Sequence, residues 1–367
     1  MNNYKGDYMT NLKKLGLTAL AGSLAAVSAQ AGEMSVSGGI NVTYTTGDSG
    51  ANSAQSLGND KDVAFSGSGE LDNGWTFSSG VTMTDAFDVS SSVVTLTMGS
   101  MGSLSVGTGN GAGIHGAYDE TYPRAYEENS DAGGQSASNY IGNWADNNAL
   151  VYRAPAIDMM GATVNIGAEY SLQAAGDTTN DGGAIARSNT YGNATSLGVT
   201  VNYDALTLGA YGATRENKNQ AATQGVSDEF NGTWFANYSF GPVAIGYQEI
   251  YVDAGLAETD NAATTTSAKT VGTSSGIFDG SSMSIAFNVN DDLSISYAET
   301  EETFDSQEMN GSAQANHDVE QSSESLQIAY SMGAMSIKAY STEITNPNYD
   351  SNAAKLNINE IALGLAF

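Results

Sequence analysis

The chain has 367 residues, no cysteine, 43 glycines and four prolines, and only 14% of its residues are charged, against about 25% in an ordinary soluble protein. Its formal charge of −29 excludes a nucleic-acid binder, which needs a basic face, and favours cationic partners or plain solvation of surface loops. No segment reaches the ~18 consecutive apolar residues of a spanning helix, and low charge without such a run fits lipid-facing side chains at every second position.

The first 31 residues read as an export signal. Lys13 and Lys14 are its positive region, 15–27 (LGLTALAGSLAAV) its apolar core, and Ala29-Gln30-Ala31 the small-x-small cleavage form. Residues 1–8 precede a second methionine, Met9, which is a candidate true start. The expected mature chain begins at Gly32, and losing Lys5, Asp7, Lys13 and Lys14 takes its charge to −31. An exported chain has access to disulfides, so the lack of cysteine says that it needs none. A closed hydrogen-bonded barrel meets that condition, and residues 32–367 are expected to form one.

In 34–44, Met34, Val36, Gly38, Ile40, Val42 and Tyr44 share one parity, and Ser35, Ser37, Gly39, Asn41 and Thr43 the other. Successive strand side chains point to opposite faces, so one face is apolar and the other suits water. A polar loop is expected over 46–60, then a strand over 63–71. The turn Asp72-Asn73-Gly74 is a strong hairpin signal, because Asn-Gly takes positive φ at low cost. Trp75, Phe77, Val81 and Met83 return. A short connection leads to Val94, Leu96 and Met98, and the turn at 99–102 leads to Leu104 and Val106.

A long interruption follows at 110–147. Connections above ~12–15 residues without regular structure are unusual and often functional. Beyond it, alternation resumes at Leu150 and Tyr152, with a turn near 155–160. Ten more alternating runs follow. Tight turns near Asp204, Gly241, 290–292 and 332–334 alternate with polar loops at 174–193, 216–227, 254–275, 305–316 and 346–353.

These make sixteen segments. Even strand number, short turns alternating with long loops, and dyad alternation over ~10 residues are the signature of a transmembrane barrel. Without spanning helices, a closed barrel is the remaining way to satisfy every backbone group in lipid. The expected fold is therefore all-β: an antiparallel, up-and-down transmembrane β-barrel of about 16 strands. Tyr44, Trp75, Tyr170, Tyr203, Trp234, Phe240, Tyr297 and Tyr330 fall near strand ends, where an aromatic girdle belongs.

The last residues alternate up to a terminal aromatic, Phe367. With the export signal, the first strand after Gly32 and the long loop after the fifth strand, they make the chain resemble the general bacterial porins, in particular the sixteen-stranded trimeric porins of the alphaproteobacterial branch. The resemblance covers essentially the whole mature chain. It implies an outer-membrane homotrimer in a Gram-negative bacterium, assembled through the barrel assembly machinery with Phe367 as signal. It also implies passive diffusion of small hydrophilic solutes and ions, and a loop 110–147 that bends inward and sets the pore's narrowest section.

That loop carries Asp119, Glu120, Glu127, Glu128 and Asp131, with Arg124 among them. Rings of acids favour cations in a pore. Tyr118, Tyr122 and Tyr126 recur at i, i+4 around Pro123; if Pro123 opens a helical turn, their rings pack on the wall while carboxylates face water. The family's usual cluster of arginines on the facing wall is mostly missing. Of twelve Lys and Arg, three precede Gly32, strands two to four contain only Lys61, at a strand end, and Arg153 and Lys338 have lumen parity, as does Glu169. Cation preference is therefore expected.

Other chemistry finds little support. His115 and His317 are too few and too isolated for zinc, and no Ser/His/Asp arrangement is suggested. Gly107–Gly111 is glycine-rich but opens no helix and lacks a lysine. No cofactor is expected; Ca²⁺ is the one candidate, since carboxylate pairs are hard ligands, but the acid spacing matches no calcium motif. The alternatives to a channel are a non-conducting surface or adhesin barrel and, further off, a barrel enzyme.

Overall fold

The computed structural model describes residues 31–50, 52–84, 88–108, 113–142, 144, 149–172, 174, 191–218, 226–256, 268–272, 274, 276–305 and 318–367. The export-signal reading falls on residues that lie almost wholly outside this set. Alternating sequence produces seventeen strand segments: β1 (Ala31–Ser49), β2 (Asn52–Glu70), β3 (Thr76–Met83), β4 (Val89–Thr97), β5 (Ser103–Thr108), β6 (Ala149–Arg153), β7 (Ile157–Met159), β8 (Ala162–Ser171), β9 (Tyr191–Tyr203), β10 (Leu206–Asn217), β11 (Glu229–Phe240), β12 (Val243–Asp253), β13 (Ile277–Asn288), β14 (Leu293–Asp305), β15 (Val319–Met332), β16 (Met335–Thr345) and β17 (Leu356–Ala366). Each pairs antiparallel with its neighbour, and β1 also pairs with β17, which closes the ring. β6 and β7 both pair with β8 on either side of Pro155. A proline cannot donate to a ladder, so the two are halves of one stave, and the barrel is sixteen-stranded.

Register settles which face each residue takes. The outward set includes Met34, Val36, Leu57, Val94, Leu208, Ile245, Met283, Ile285, Ile328 and Leu363, all exposed. Seven of the eight girdle aromatics are likewise exposed, and Trp75 is half-buried. Large apolar side chains facing away from the ring are what a lipid-facing wall requires. The terminal residue finishes the closure: Gly38 and Phe367 exchange two backbone hydrogen bonds, each 2.9 Å.

Two expectations are corrected here. Residues 46–60 are not a loop, because β1 and β2 pair in continuous register up to Ser49 and Asn52. Where a hairpin rises beyond lipid both faces meet water, so its strands carry polar residues and read as a loop. Lys61 is consequently inside β2 rather than at its end. It pairs with Ile40 and takes the outward face. A further departure concerns the inner face, read in the first strand as suited to water. Along β10–β14, Tyr211, Phe235, Ile250, Val252, Phe278 and Phe304 point inward and are buried. They form a core inside the ring, and the residues that cover it come from the long loop.

Candidate functional site

The connection between β5 and β6 lies against the inner wall from β8 round to β17. At its root, Glu169 of β8 accepts hydrogen bonds from the Ile114 N–H, from Ser196 Oγ, and from Tyr211 Oη at 3.0 Å. His115 Nδ1 lies 3.5 Å from the same carboxylate. Tyr118 then drops onto β9 at Gly198. A Cβ on Gly198 would stand 2.6 Å from the Tyr118 ring, so only glycine leaves room there. The ring stacks on Tyr211 at 5.4 Å, and its hydroxyl bonds Thr200 at 3.0 Å.

Three glutamines hold the loop's main chain. Gln248 of β12 donates from Nε2 to the Tyr118 carbonyl (2.7 Å) and the Asp119 carbonyl, while its Oε1 accepts from the Thr121 N–H (3.0 Å). Gln327 of β15 accepts from the Tyr126 N–H (2.8 Å) and donates to the Glu127 carbonyl. Gln321 of β15 donates to the Gln135 carbonyl (2.7 Å) and accepts from the Asn348 N–H (2.7 Å). A strand amide pairs with a loop peptide as a second strand would, so irregular backbone inside the ring keeps its polar groups satisfied.

The loop turns back at Tyr126, whose ring packs on Tyr340 at 5.8 Å and whose hydroxyl donates to Glu360 of β17 at 2.8 Å. On the return, Ser136 Oγ and the Ala137 N–H bond Glu302 of β14, at 2.6 and 3.2 Å. Tyr140 accepts from Arg215 (3.0 Å), itself paired with Glu229, and the Gly142 N–H donates to Asn231 (3.1 Å). Burial pushes the phenols of Tyr118, Tyr122, Tyr126 and Tyr140 above their ordinary range, and Glu120, Glu360 and Glu229 raise the last three further. All four stay neutral at physiological pH. No helix opens at Pro123; the short turns are instead at His115–Ala117, Asn129–Ala132 and Ser138–Tyr140.

The expected site residues separate by placement. Asp119 is half-buried and accepts from the Glu120 N–H at 2.9 Å. Glu120, expected to face water, is 2% exposed and accepts from Tyr122 Oη (3.1 Å) and Ser138 Oγ (2.7 Å). Arg124 pairs with Glu128 and donates to the Glu120 carbonyl. Arg153 points inward and donates to the Gly113 carbonyl at 2.8 Å. Glu169 also points inward, but at 3% exposure it meets the loop rather than the lumen. The Asp131 side chain and His317 lie outside the described residues. Among the described residues no three His, Cys, Asp or Glu converge as metal ligands.

Glu127 and Lys338 are half-buried at the edge of open space. They share a recess of about 390 Å³ with Asp60 and Asp62 of β2, two acids that sequence reasoning assigned to a loop end or left unplaced. Their partners in register, Asn41 and Gly39, are inward residues, which puts both carboxylates on the lumen side. Across β1–β5 the inner face reads Ser35, Ser37, Asn41 and Thr43, then Asp60, Asp62, Ser66 and Glu70, then Ser78, Thr82, Ser91, Thr95 and Ser105. Among the described residues this wall carries no lysine or arginine on its inner face.

A lipid-facing closed barrel, with a polar inner wall and one loop folded against that wall from within, defines the chain as a membrane channel of the β-barrel class. The family comparison agrees: residues 16–364 match the model described as Gram-negative porin, and the chain belongs to that family. It is an outer-membrane porin. Comparison with curated protein sequences finds no match. Solved structures with the same fold include a Salmonella typhi OmpF in complex with daunomycin (12% identity, TM-score 0.66, covering 92% of this chain and 98% of that one). An anion-selective porin from Comamonas acidovorans is also similar (15%, TM-score 0.58, 91% and 100%). A third is an outer-membrane expressed OmpT of Vibrio cholerae (14%, TM-score 0.53, 92% and 98%). At these identities the likeness is one of fold.

Proposed function

We propose that the chain is a passive diffusion channel for small hydrophilic solutes and ions, that it prefers cations, and that the inward loop sets its narrowest section. The carrying observation is the charge of the walls left to the lumen. Asp60 and Asp62 on β2 and Glu127 on the loop face open space. Arg124, Arg153 and Arg215 are each tied to carboxylates or carbonyls. Acids at a constriction lower the energy of a passing cation and raise that of an anion.

The reading extends to a homotrimer in outer-membrane lipid, built by the barrel assembly machinery after removal of residues 1–31, with Phe367 as its signal. Bilayer recording tests the channel: steps of ohmic current are expected in KCl, and silence from correctly folded protein would favour a surface or adhesin barrel.

A further inference from the structure

The recess shared by Asp60, Asp62, Glu127 and Lys338 is more structured than a general acidic lining. Between β2 and β16 stand β17 and β1, and their inward residues that line the recess are small: Gly364 and Ala366, Gly39 and Asn41. The small residues form a floor. Aspartates stand on one side, a lysine on the other, and the tip of the loop, Tyr126 and Glu127, forms the lid.

The charges on the two walls, Asp60, Asp62 and Lys338, are not used up inside the protein. Asp60 and Asp62 are exposed, and among the described residues neither has a hydrogen-bond or ion-pair partner. Lys338 lies with Nζ 4.9 Å from the Tyr126 ring centroid, with no described carboxylate at pairing distance. Its row in the sheet runs Lys338–Ala362–Thr43–Gly58, and the Asp60 row, Ser336–Gly364–Asn41–Asp60, is the next one. Three inter-strand steps and the two-residue offset between the rows put the Lys338 and Asp60 backbones about 16 Å apart. The lysine stem and the shorter aspartate side chain span part of that distance, leaving roughly 7–8 Å between ammonium and carboxylate. A simple ion reaches one side only, whereas a solute with opposite charges at that separation reaches both.

We infer that this recess binds small ampholytes, solutes carrying an ammonium and a carboxylate several bonds apart, as in ω-amino acids and short peptides. The ammonium lies toward Asp60, Asp62 and Glu127, and the carboxylate lies on Lys338. The site biases a diffusing solute's residence and orientation as it passes the loop. The inference rests on the channel reading and deepens it.

The test is block of single-channel current in the reconstituted full-length mature protein. The probes are 6-aminohexanoate, glycine (same charges, too short), 6-aminohexanamide (ammonium only) and hexanoate (carboxylate only). 6-Aminohexanoate is expected to block reversibly at about tenfold lower concentration than the other three, the effect of one added charge contact of roughly 1.4 kcal/mol. Lys338→Gln should bring it level with 6-aminohexanamide, and Asp60→Asn with Asp62→Asn should remove the advantage altogether. Equal block by all four probes, or an advantage that survives both sets of substitutions, overturns the inference while leaving the channel standing. A barrel that folds but passes no current in KCl alone overturns the channel reading and this one with it. Calorimetric titration of the detergent-folded protein with 6-aminohexanoate gives a second readout, with the same order of variants expected.

Discussion

Replacing Gln248 by leucine removes the clamp at the start of the inward loop while keeping side-chain volume. Gln248 is 1% exposed, and its amide satisfies the Tyr118 and Asp119 carbonyls and the Thr121 N–H. Leaving a buried polar group unpaired costs about 1–3 kcal/mol. Tyr118 is buried and bears that cost in full, whereas Asp119 and Thr121 are half-buried and recover part of it from lumen water. The strand loses one more partner, since Gln248 also donates to Thr233 at 2.8 Å. The sum is about 3 kcal/mol, partly offset by leucine's own burial, and it falls on the loop rather than on the sixteen-stranded ladder. At 1.4 kcal/mol per tenfold, the detached state of residues 118–121 rises roughly a hundredfold in population. Single-channel recording reads this as frequent brief current transitions absent from the parent, and thermal unfolding should show an unchanged main transition. If Gln248→Leu is as quiet as the parent, or if the whole barrel loses stability instead, the assignment of Gln248 as a loop clamp is wrong.

Other outcomes follow from the same contacts. Gly198→Val should loosen the loop by driving the Tyr118 ring off its seat, and adding Tyr118→Ala should restore quiet conductance by vacating the space; additive damage would contradict the steric account. Glu120→Gln should leave ion selectivity unchanged, because the group meets Tyr122 and Ser138 rather than solute, whereas Glu120→Ala should loosen the loop by about 2–4 kcal/mol through two orphaned hydroxyls; a selectivity change in Glu120→Gln would place the carboxylate on the solute path. With no native cysteine, Asp62→Cys gives a single thiol, and a cationic thiol reagent should reduce its current; full current after complete labelling would put β2's inner face off the route. Deleting Phe367 removes both hydrogen bonds to Gly38 at the closing seam, and the yield of folded barrel in vitro should fall several-fold; an undiminished yield would make the terminal residue dispensable for closure.

Alternation made the barrel legible, because a stave with one face in lipid and one toward water must change character at every second residue. It also fixes which face a strand residue takes, so Lys338 can be grouped with Tyr340 and Thr342 before any coordinates. Alternation fades where lipid does not reach, and the upper part of the β1–β2 hairpin therefore reads as a loop. Nor can it tell whether an inward residue meets water or protein. Glu169 and Glu120 belong to the loop's attachment, and Asp60 and Asp62 to the lumen, because of how a long irregular segment lies across ten strands, a fact of tertiary packing. The clamps Gln248, Gln321 and Gln327 carry one faint signal: long amides beside small inward neighbours, Gly246 on β12 and Ser323, Ser325 and Ala329 on β15.

The acidic lumen and its missing basic wall make one measurement the most direct. It is the reversal potential of single channels across a KCl gradient, taken for the parent and for the combined Asp60→Asn, Asp62→Asn and Glu127→Gln variant. The account expects the parent's potential to have the sign of potassium selectivity and the variant's to move most of the way to zero. A parent selective for chloride, or a variant whose potential equals the parent's, would contradict it.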